Sequence, residues 1–120
     1  MGDYPSEFRW RLIIMDKGPV QKEIERKLTA SFSPEFLEMV NESRRHQAPE
    51  GAESHFKLQL VSGLFEGMSR IERARRVHEV LAAELKFPVH ALTNKLYSPS
   101  EWAALDPDRR KFKAIGHTKR

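Results

Sequence analysis

The stretch SHFKLQLVSGLFEGMSRIERARRVHEVLAAELKFPVHALTNKLYSPSEW, residues 54–102, decides the fold. Its first eight residues alternate, with the apolar side chains of Phe56, Leu58 and Leu60 on one side and mostly polar side chains on the other. A period of two residues is typical of a strand that buries one face. A turn with two glycines, Gly63 and Gly67, follows this strand.

A helix is predicted after the turn. Ser69 and Glu72 stand at the spacing of a capping box, in which each side chain accepts a hydrogen bond from the other residue's backbone N–H. An apolar stripe at helical spacing then follows, formed by Ile71, Ala74, Val77, Leu81 and Leu85. The helix ends at Phe87, because the residue before a proline prefers extended backbone.

Residues 89–97 predict a second strand of the same stretch, with Val89, Ala91 and Thr93 alternating against His90 and Leu92. A helix of about 17 residues separates the two strands. A connection of that length predicts that the strands are parallel and that the crossover is right-handed.

The flanking sequence adds further elements on both sides. On the N-terminal side the expected elements are a helix over Pro19–Phe32, a short helical turn at Ser33-Pro34, a strand over Leu37–Ser43 and a loop over Arg44–Glu53. On the C-terminal side, Ser98 and Glu101 form a second capping box, which begins a short final helix.

These elements predict an α+β (α/β) domain in the order α-α-β-β-α-β-α. The sheet has three strands and is mixed, because the first two strands are joined by a loop and should be antiparallel. The helices are expected on one face of the sheet. We predict a disordered segment over residues 1–18, the folded domain over 19–106 and a flexible basic tail over 107–120.

Composition narrows the possible functions. A chain of 120 residues with 32% charged and 39% hydrophobic residues is typical of one globular domain. No window approaches the roughly 18 apolar residues of a membrane span. The net charge of +4 is concentrated in residues 107–120, which carry six basic residues and one acidic residue, so residues 1–106 carry 15 basic and 16 acidic residues. This distribution weakens the argument for a dedicated nucleic-acid face.

Several phrases resemble the BolA family: Ser54-His55-Phe56, Phe65-Glu66-Gly67, residues 73–77, Val89-His90-Ala91-Leu92 and Glu101-Trp102. The similarity covers residues 20–102, and Asn41-Glu42-Ser43 resembles the eukaryotic-type members with a histidine in the first loop. The family often has Arg-His-Arg in the central helix, whereas this chain has Ala74 at the middle position. The resemblance implies a fold related to class II KH domains.

The resemblance also implies roles for histidines. From the alternation pattern alone, His90 is expected to be an exposed or hydrogen-bonded side chain. The resemblance implies a different role, because the Val-His-Ala-Leu phrase carries the histidine that binds an iron–sulfur cluster in the family. His46 lies in the loop where the family places a second ligand, and His55 is the competing candidate for that role. His78 lies within the central helix, where a partly covered histidine that binds no metal is expected, and His117 lies in the basic tail.

The family's implied function is that of an adaptor rather than an enzyme. It binds a monothiol glutaredoxin and shares a [2Fe–2S] cluster with it, in iron–sulfur maturation or iron regulation. The chain has no cysteine, so glutaredoxin and glutathione would have to donate the sulfur ligands. We expect a monomer alone and a heterodimer with glutaredoxin, inside the cell, with mitochondrial and cytosolic locations both open.

Two alternatives remain. A KH-like nucleic-acid-binding regulator would use Arg70, Arg73, Arg75 and Arg76 of the central helix, although the turn before that helix has no GxxG phosphate clamp. A solvated helix face with Arg–Glu pairs is an equally good interpretation of these arginines. An adaptor without metal would dock a partner on the surface around Phe65, Arg73 and the final helix.

Overall fold

The computed structural model describes residues 17–46, 48–49 and 51–110, and for residues 45 and 46 it describes the backbone alone. The predictions for residues 1–16, for residues 111–120 and for the side chain of His46 therefore lie outside the described residues. The three strands, the first helix and the final helix occur in the predicted order, but no helical turn follows the first helix and the central helix is divided in two. The elements are α1 (Pro19–Phe32), β1 (Phe36–Asn41), β2 (His55–Val61), α2 (Arg70–Val80), α3 (Ala82–Lys86), β3 (Ala91–Tyr97) and α4 (Pro99–Ala104).

The sheet has the predicted mixed topology, in the order β1-β2-β3. β1 is antiparallel to β2 with Met39 opposite Leu58, and β2 is parallel to β3 with Leu58 opposite Asn94. Both predicted capping boxes are confirmed, at Ser69 and at Ser98. The local signals in residues 54–102 therefore positioned the strands and the helix starts correctly.

The main core lies between one face of the sheet and the two long helices. Phe56, Leu58 and Leu60 of β2 are buried there, as their alternation predicted. The helices contribute Ile24, Leu28 and Phe32 from α1 and Val77 from α2, with Leu81 just after α2. Burial of each such side chain contributes about 1.5–3 kcal/mol, which makes this layer the main stabilising feature.

A second, smaller cluster covers one end of the opposite face, so the prediction that all helices pack on one face is wrong. Val61 is fully buried but lies outside the main core, between its strand neighbours Phe36 and Tyr97. The Trp102 ring of α4 stacks on Phe36 with ring centroids 5.0 Å apart, and it packs in a tilted arrangement against Tyr97 at 5.6 Å. The final helix therefore folds back onto the second face because its tryptophan finds two aromatic partners there.

The segment after α4 also packs against the second face of the sheet. Residues 107–110, which the sequence assigned to the tail, form a 3-10 turn. The Arg110 guanidinium lies over the Trp102 ring at 5.2 Å, and its backbone carbonyl accepts a hydrogen bond from the buried Gln59 side chain. The turn thus supplies a close acceptor for the buried Gln59 amide, whose second acceptor is Glu38 Oε1 at 3.5 Å.

Three local predictions were wrong. Ser33 does not start a helical turn but ends α1 in the left-handed conformation, at φ 43°, with its N–H bonded to Thr29 O. The single central helix is divided at Leu81, where the backbone reaches ψ 19° while the side chain stays buried in the core. Ile71 is 69% exposed, whereas Arg73 occupies a buried position on the same helix.

Candidate histidine site

His90 lies immediately before β3 and is exposed. Its backbone N–H donates to Ser54 O at 2.7 Å, and the next N–H, from Ala91, donates to the same oxygen at 3.2 Å. Because one carbonyl accepts both bonds, regular alternation begins only at Ala91. Val89 and Leu92 therefore both pack on the core while His90 and Ala91 stay outside, which corrects the predicted pattern.

His55 begins β2, next to Ser54, and pairs with Ala91. Its ring lies beside the ring of His90, with centroids 6.1 Å apart and planes inclined by 24°. The Ser54 hydroxyl and His55 Nδ1 lie 2.8 Å apart, within hydrogen-bond distance. With Nδ1 engaged in this way, ligation of a metal by His55 would use Nε2.

A buried serine fixes the strand start that carries His55. Ser43 is 1% exposed, and its hydroxyl accepts N–H bonds from Ser54 at 2.9 Å and His55 at 3.1 Å. The same hydroxyl donates to Asn41 Oδ1 at 2.6 Å, and that oxygen also accepts the Ser43 N–H at 2.9 Å. The end of β1, the start of β2 and the start of β3 are therefore joined by one hydrogen-bonded chain through Ser43 and Ser54.

His46 is the last residue of a 3-10 helix, Ser43–His46, which begins at this serine. The far end of the loop is fixed as well, by Glu53. Its carboxylate accepts backbone N–H bonds from Val20 at 3.2 Å and Gln21 at 2.8 Å, in the first turn of α1. The loop that carries His46 is thus anchored to the domain at both of its ends.

These anchoring residues were not predicted from the sequence. Asn41 and Ser43 did carry a signal, because an asparagine two residues before a serine is the spacing of an Asx turn. Glu53 carried none. It caps the N-terminus of α1, where the N-cap residue Gly18 has no side chain to do so, and Gly18 and Glu53 meet only in the folded chain.

The four arginines of the nucleic-acid alternative do not form one surface. Arg73 is 4% exposed and donates to Met68 O and Leu96 O as well as to both carboxylate oxygens of Glu101. Arg70, Arg75 and Arg76 are exposed. Since Phe65 is also fully buried, the docking surface proposed around Phe65 and Arg73 is not accessible.

The donor set of the histidine site fits a metal centre that is completed by another molecule. Two imidazoles on one tetrahedral metal have ring centroids about 5–6 Å apart, given metal–nitrogen bonds of about 2.1 Å. The 6.1 Å between His55 and His90 is close to that separation. No group of three or more His, Cys, Asp or Glu side chains able to hold a metal occurs among the described residues, which do not include the side chain of His46. His78 is exposed on α2.

Within the same described part of the chain, no helix is long and apolar enough to cross a membrane.

Comparison with known proteins gives one consistent result. A family described as BolA-like protein matches residues 28–101. BolA-like protein 1 of Mus musculus is 49% identical over 85 residues, which cover 71% of this chain and 62% of the mouse protein. The DNA-binding transcriptional regulator BolA of Escherichia coli is 48% identical over 86 residues, covering 72% of this chain and 82% of the bacterial protein.

Solved structures agree with these relatives. The solution structure of BolA1 from Mus musculus is 44% identical and has a TM-score of 0.68, covering 83% of this chain and 81% of that one. The BolA domain of SufE1 from Arabidopsis thaliana is 35% identical with a TM-score of 0.66, covering 71% of this chain and 98% of that domain.

Proposed function

The chain belongs to the BolA family, and from this membership we propose that it is an adaptor that binds a monothiol glutaredoxin and shares a [2Fe–2S] cluster with it. The protein acts as a monomer alone and as a heterodimer with glutaredoxin, in iron–sulfur maturation or iron regulation. The observation that carries the proposal is the pair of adjacent imidazoles at His55 and His90.

His90 is proposed as the first ligand because it is exposed at the start of an otherwise regular strand. The 6.1 Å between ring centroids supports His55 as the second ligand. His46 is the competing candidate, since the 3-10 helix that ends at His46 begins at Ser43, the residue hydrogen-bonded to the His55 backbone. Either choice gives one iron two nitrogen ligands from this chain.

The sulfur ligands are proposed to come from outside the chain, because it contains no cysteine. A glutaredoxin cysteine and glutathione would supply them, so that imidazoles bind one iron and thiolates the other. Because imidazole is neutral, a cluster held in this way has a higher reduction potential than one with four thiolates. The role of this protein is therefore to position imidazoles against the thiolates of its partner.

The test is co-expression with a monothiol glutaredoxin, followed by visible absorption and circular dichroism of the purified complex. His90→Ala should abolish the spectrum of the mixed-ligand cluster, and whichever of His55→Ala and His46→Ala does the same identifies the second ligand. His78→Ala is the matched control, an exposed histidine on α2. Far-UV circular dichroism of each variant confirms folding. Spectra unchanged in all three ligand variants would overturn the proposal.

A nucleic-acid-binding regulator is the second candidate. Three arginines of α2, Arg70, Arg75 and Arg76, are exposed, and the Escherichia coli relative is named a DNA-binding transcriptional regulator. For this candidate, substitution of the three exposed arginines by alanine should weaken DNA binding and reduce its salt dependence. A mobility shift that depends only on residues 107–120 would instead assign the binding to the basic C-terminal segment.

A further inference from the structure

The two edge strands of the sheet differ in how side chains are hydrogen-bonded to their outward-facing backbone groups. At the β1 edge, the Gln21 side chain of α1 approaches Met39 O at 3.4 Å. At the β3 edge, Arg73 Nη1 donates to Leu96 O at 3.0 Å. No other described side chain is hydrogen-bonded to the backbone of β3.

The direction of the remaining β3 backbone groups follows from two hydrogen bonds. Ala91 N–H donates to Ser54 O, and Tyr97 O accepts from Ser62 N–H, so both residues face β2. In a parallel ladder every second residue bonds the same neighbour. Leu92, Asn94 and Leu96 therefore direct their N–H and C=O groups to the open edge, and only Leu96 O is taken by Arg73.

A groove of about 530 Å³ runs along this edge, between β3, the start of α2 and α4. Ala74, Leu96 and Leu105 give it an apolar wall, and the exposed cations Arg70 and Lys95 line it as well. Its one carboxylate, Glu101, is already paired with Arg73. Among the described residues, the groove thus presents two positive charges without a carboxylate partner, beside a strand edge that no described strand pairs with.

We propose that the β3 edge binds an extended acidic peptide segment of a partner protein as a fourth strand. The outward N–H and C=O groups of Leu92 and Asn94 bond the backbone of the peptide. Arg70 and Lys95 attract its carboxylates, and the apolar wall receives the side chains between them. This inference goes beyond the proposed cluster-binding function and does not depend on it.

A peptide fits the groove better than a nucleic acid does. Base stacking needs a free aromatic face, and the ring of Tyr97 is packed against Trp102 at 5.6 Å. Phosphate binding is disfavoured close by, because the Glu66 carboxylate is held against Ser100 at the start of α4. An open strand edge, in contrast, is suited to pairing with another extended chain.

The probe for the test is a synthetic decapeptide that alternates glutamate and valine, titrated into the 15N-labelled protein. We expect chemical-shift changes and amide protection at Leu92, Asn94 and Leu96. Replacing glutamate by lysine in the peptide should weaken binding about tenfold or more, and Lys95→Glu with Arg70→Glu should reverse that preference. Lys57→Glu, on β2, is the control that leaves the preference unchanged.

Two N-methylated peptides test strand addition itself without altering the protein. The alternation of side chains fixes the register of the peptide against β3. Methylation of every second backbone nitrogen therefore removes either the N–H donors that point toward β3 or those that point toward solvent. One methylated peptide should bind as the parent does, and the other should lose about tenfold or more in affinity.

Three outcomes would overturn the proposal: equal binding of both methylated peptides, protection of the β3 amides by a second copy of the chain without peptide, or shifts at these amides with oligo(dT) but not with the acidic peptide.

Discussion

Arg73 and Glu101 form a two-pronged ion pair between α2 and α4, with Nη1–Oε1 at 2.6 Å and Nη2–Oε2 at 3.1 Å. The arginine is buried, whereas half of the glutamate side chain is exposed. Glu101 also closes the capping box of α4 by accepting the Ser98 N–H. The pair therefore joins the central helix to the element that covers the second face of the sheet.

Removing Arg73 and removing Glu101 should each destabilise the domain, but by different amounts. Arg73→Met leaves a carboxylate that water can reach, although it frees the carbonyls of Met68 and Leu96, and we expect a loss of about 2–3 kcal/mol. Glu101→Ala leaves a buried guanidinium without its counter-charge, and we expect about 3–5 kcal/mol. Urea denaturation measures both. Arg75→Met, an exposed arginine of the same helix, should change stability by less than about 0.5 kcal/mol, and equal losses for the first two variants would contradict the assignment.

The ion pair also makes stability depend on acid pH. Hydrogen bonds from the Arg73 side chain and the Ser98 N–H lower the pKa of Glu101 from 4.5 to about 2. Because the folded-state pKa is the lower one, the contribution of this carboxylate is complete above pH 4.5 and is lost as the pH falls towards 2. In Glu101→Gln this component is absent. The stability difference between the two proteins should therefore shrink over that interval, and a constant difference would show that Glu101 is not its source.

Gly18 and Glu53 predict a stability effect in a different region. A methyl group at Gly18 would collide with the Glu53 carboxylate, which accepts the N–H groups of Val20 and Gln21. Gly18→Ala should displace that carboxylate and cost about 0.5–2 kcal/mol, as should Glu53→Ala, because each removes the cap of α1. Thermal denaturation of the double variant should show no more than the larger single loss. Additive losses would mean that the two changes act independently.

Ser43 and Ser62 form a matched pair for testing the base of the histidine site. Both hydroxyls are buried and hydrogen-bonded to backbone, Ser43 to the N–H groups of Ser54 and His55, and Ser62 to Phe32 O and Leu64 N–H. Ser43→Ala and Ser62→Ala should each cost about 1–3 kcal/mol. Only Ser43→Ala should also shift the ring resonances of His55 and His90 and weaken retention of a cluster in the glutaredoxin complex. Equal effects of both variants on the rings would argue against a local role for Ser43.

The sequence predicted most of the backbone arrangement because its signals are local. The alternation of β2 and the two capping boxes each involve residues within a few positions of one another. The stripe on the central helix was predicted less well, since Ile71 is exposed and Arg73 is buried. A guanidinium can be buried there because Met68 O, Leu96 O and Glu101 converge on it, and two of these come from other elements.

By itself, the sequence determined the order of the strands, their parallel and antiparallel pairing, and a pattern that resembles one family. Those features depend on the period of apolar side chains, on turn residues and on the lengths of the connections, all of which are visible in the sequence. Tertiary structure alone decided that His55 lies beside His90, that Glu53 caps α1, that Trp102 covers the second face, and that no described strand pairs with the β3 edge. These relationships join residues separated by tens of positions, and only the packing of the sheet against its helices determines their distances.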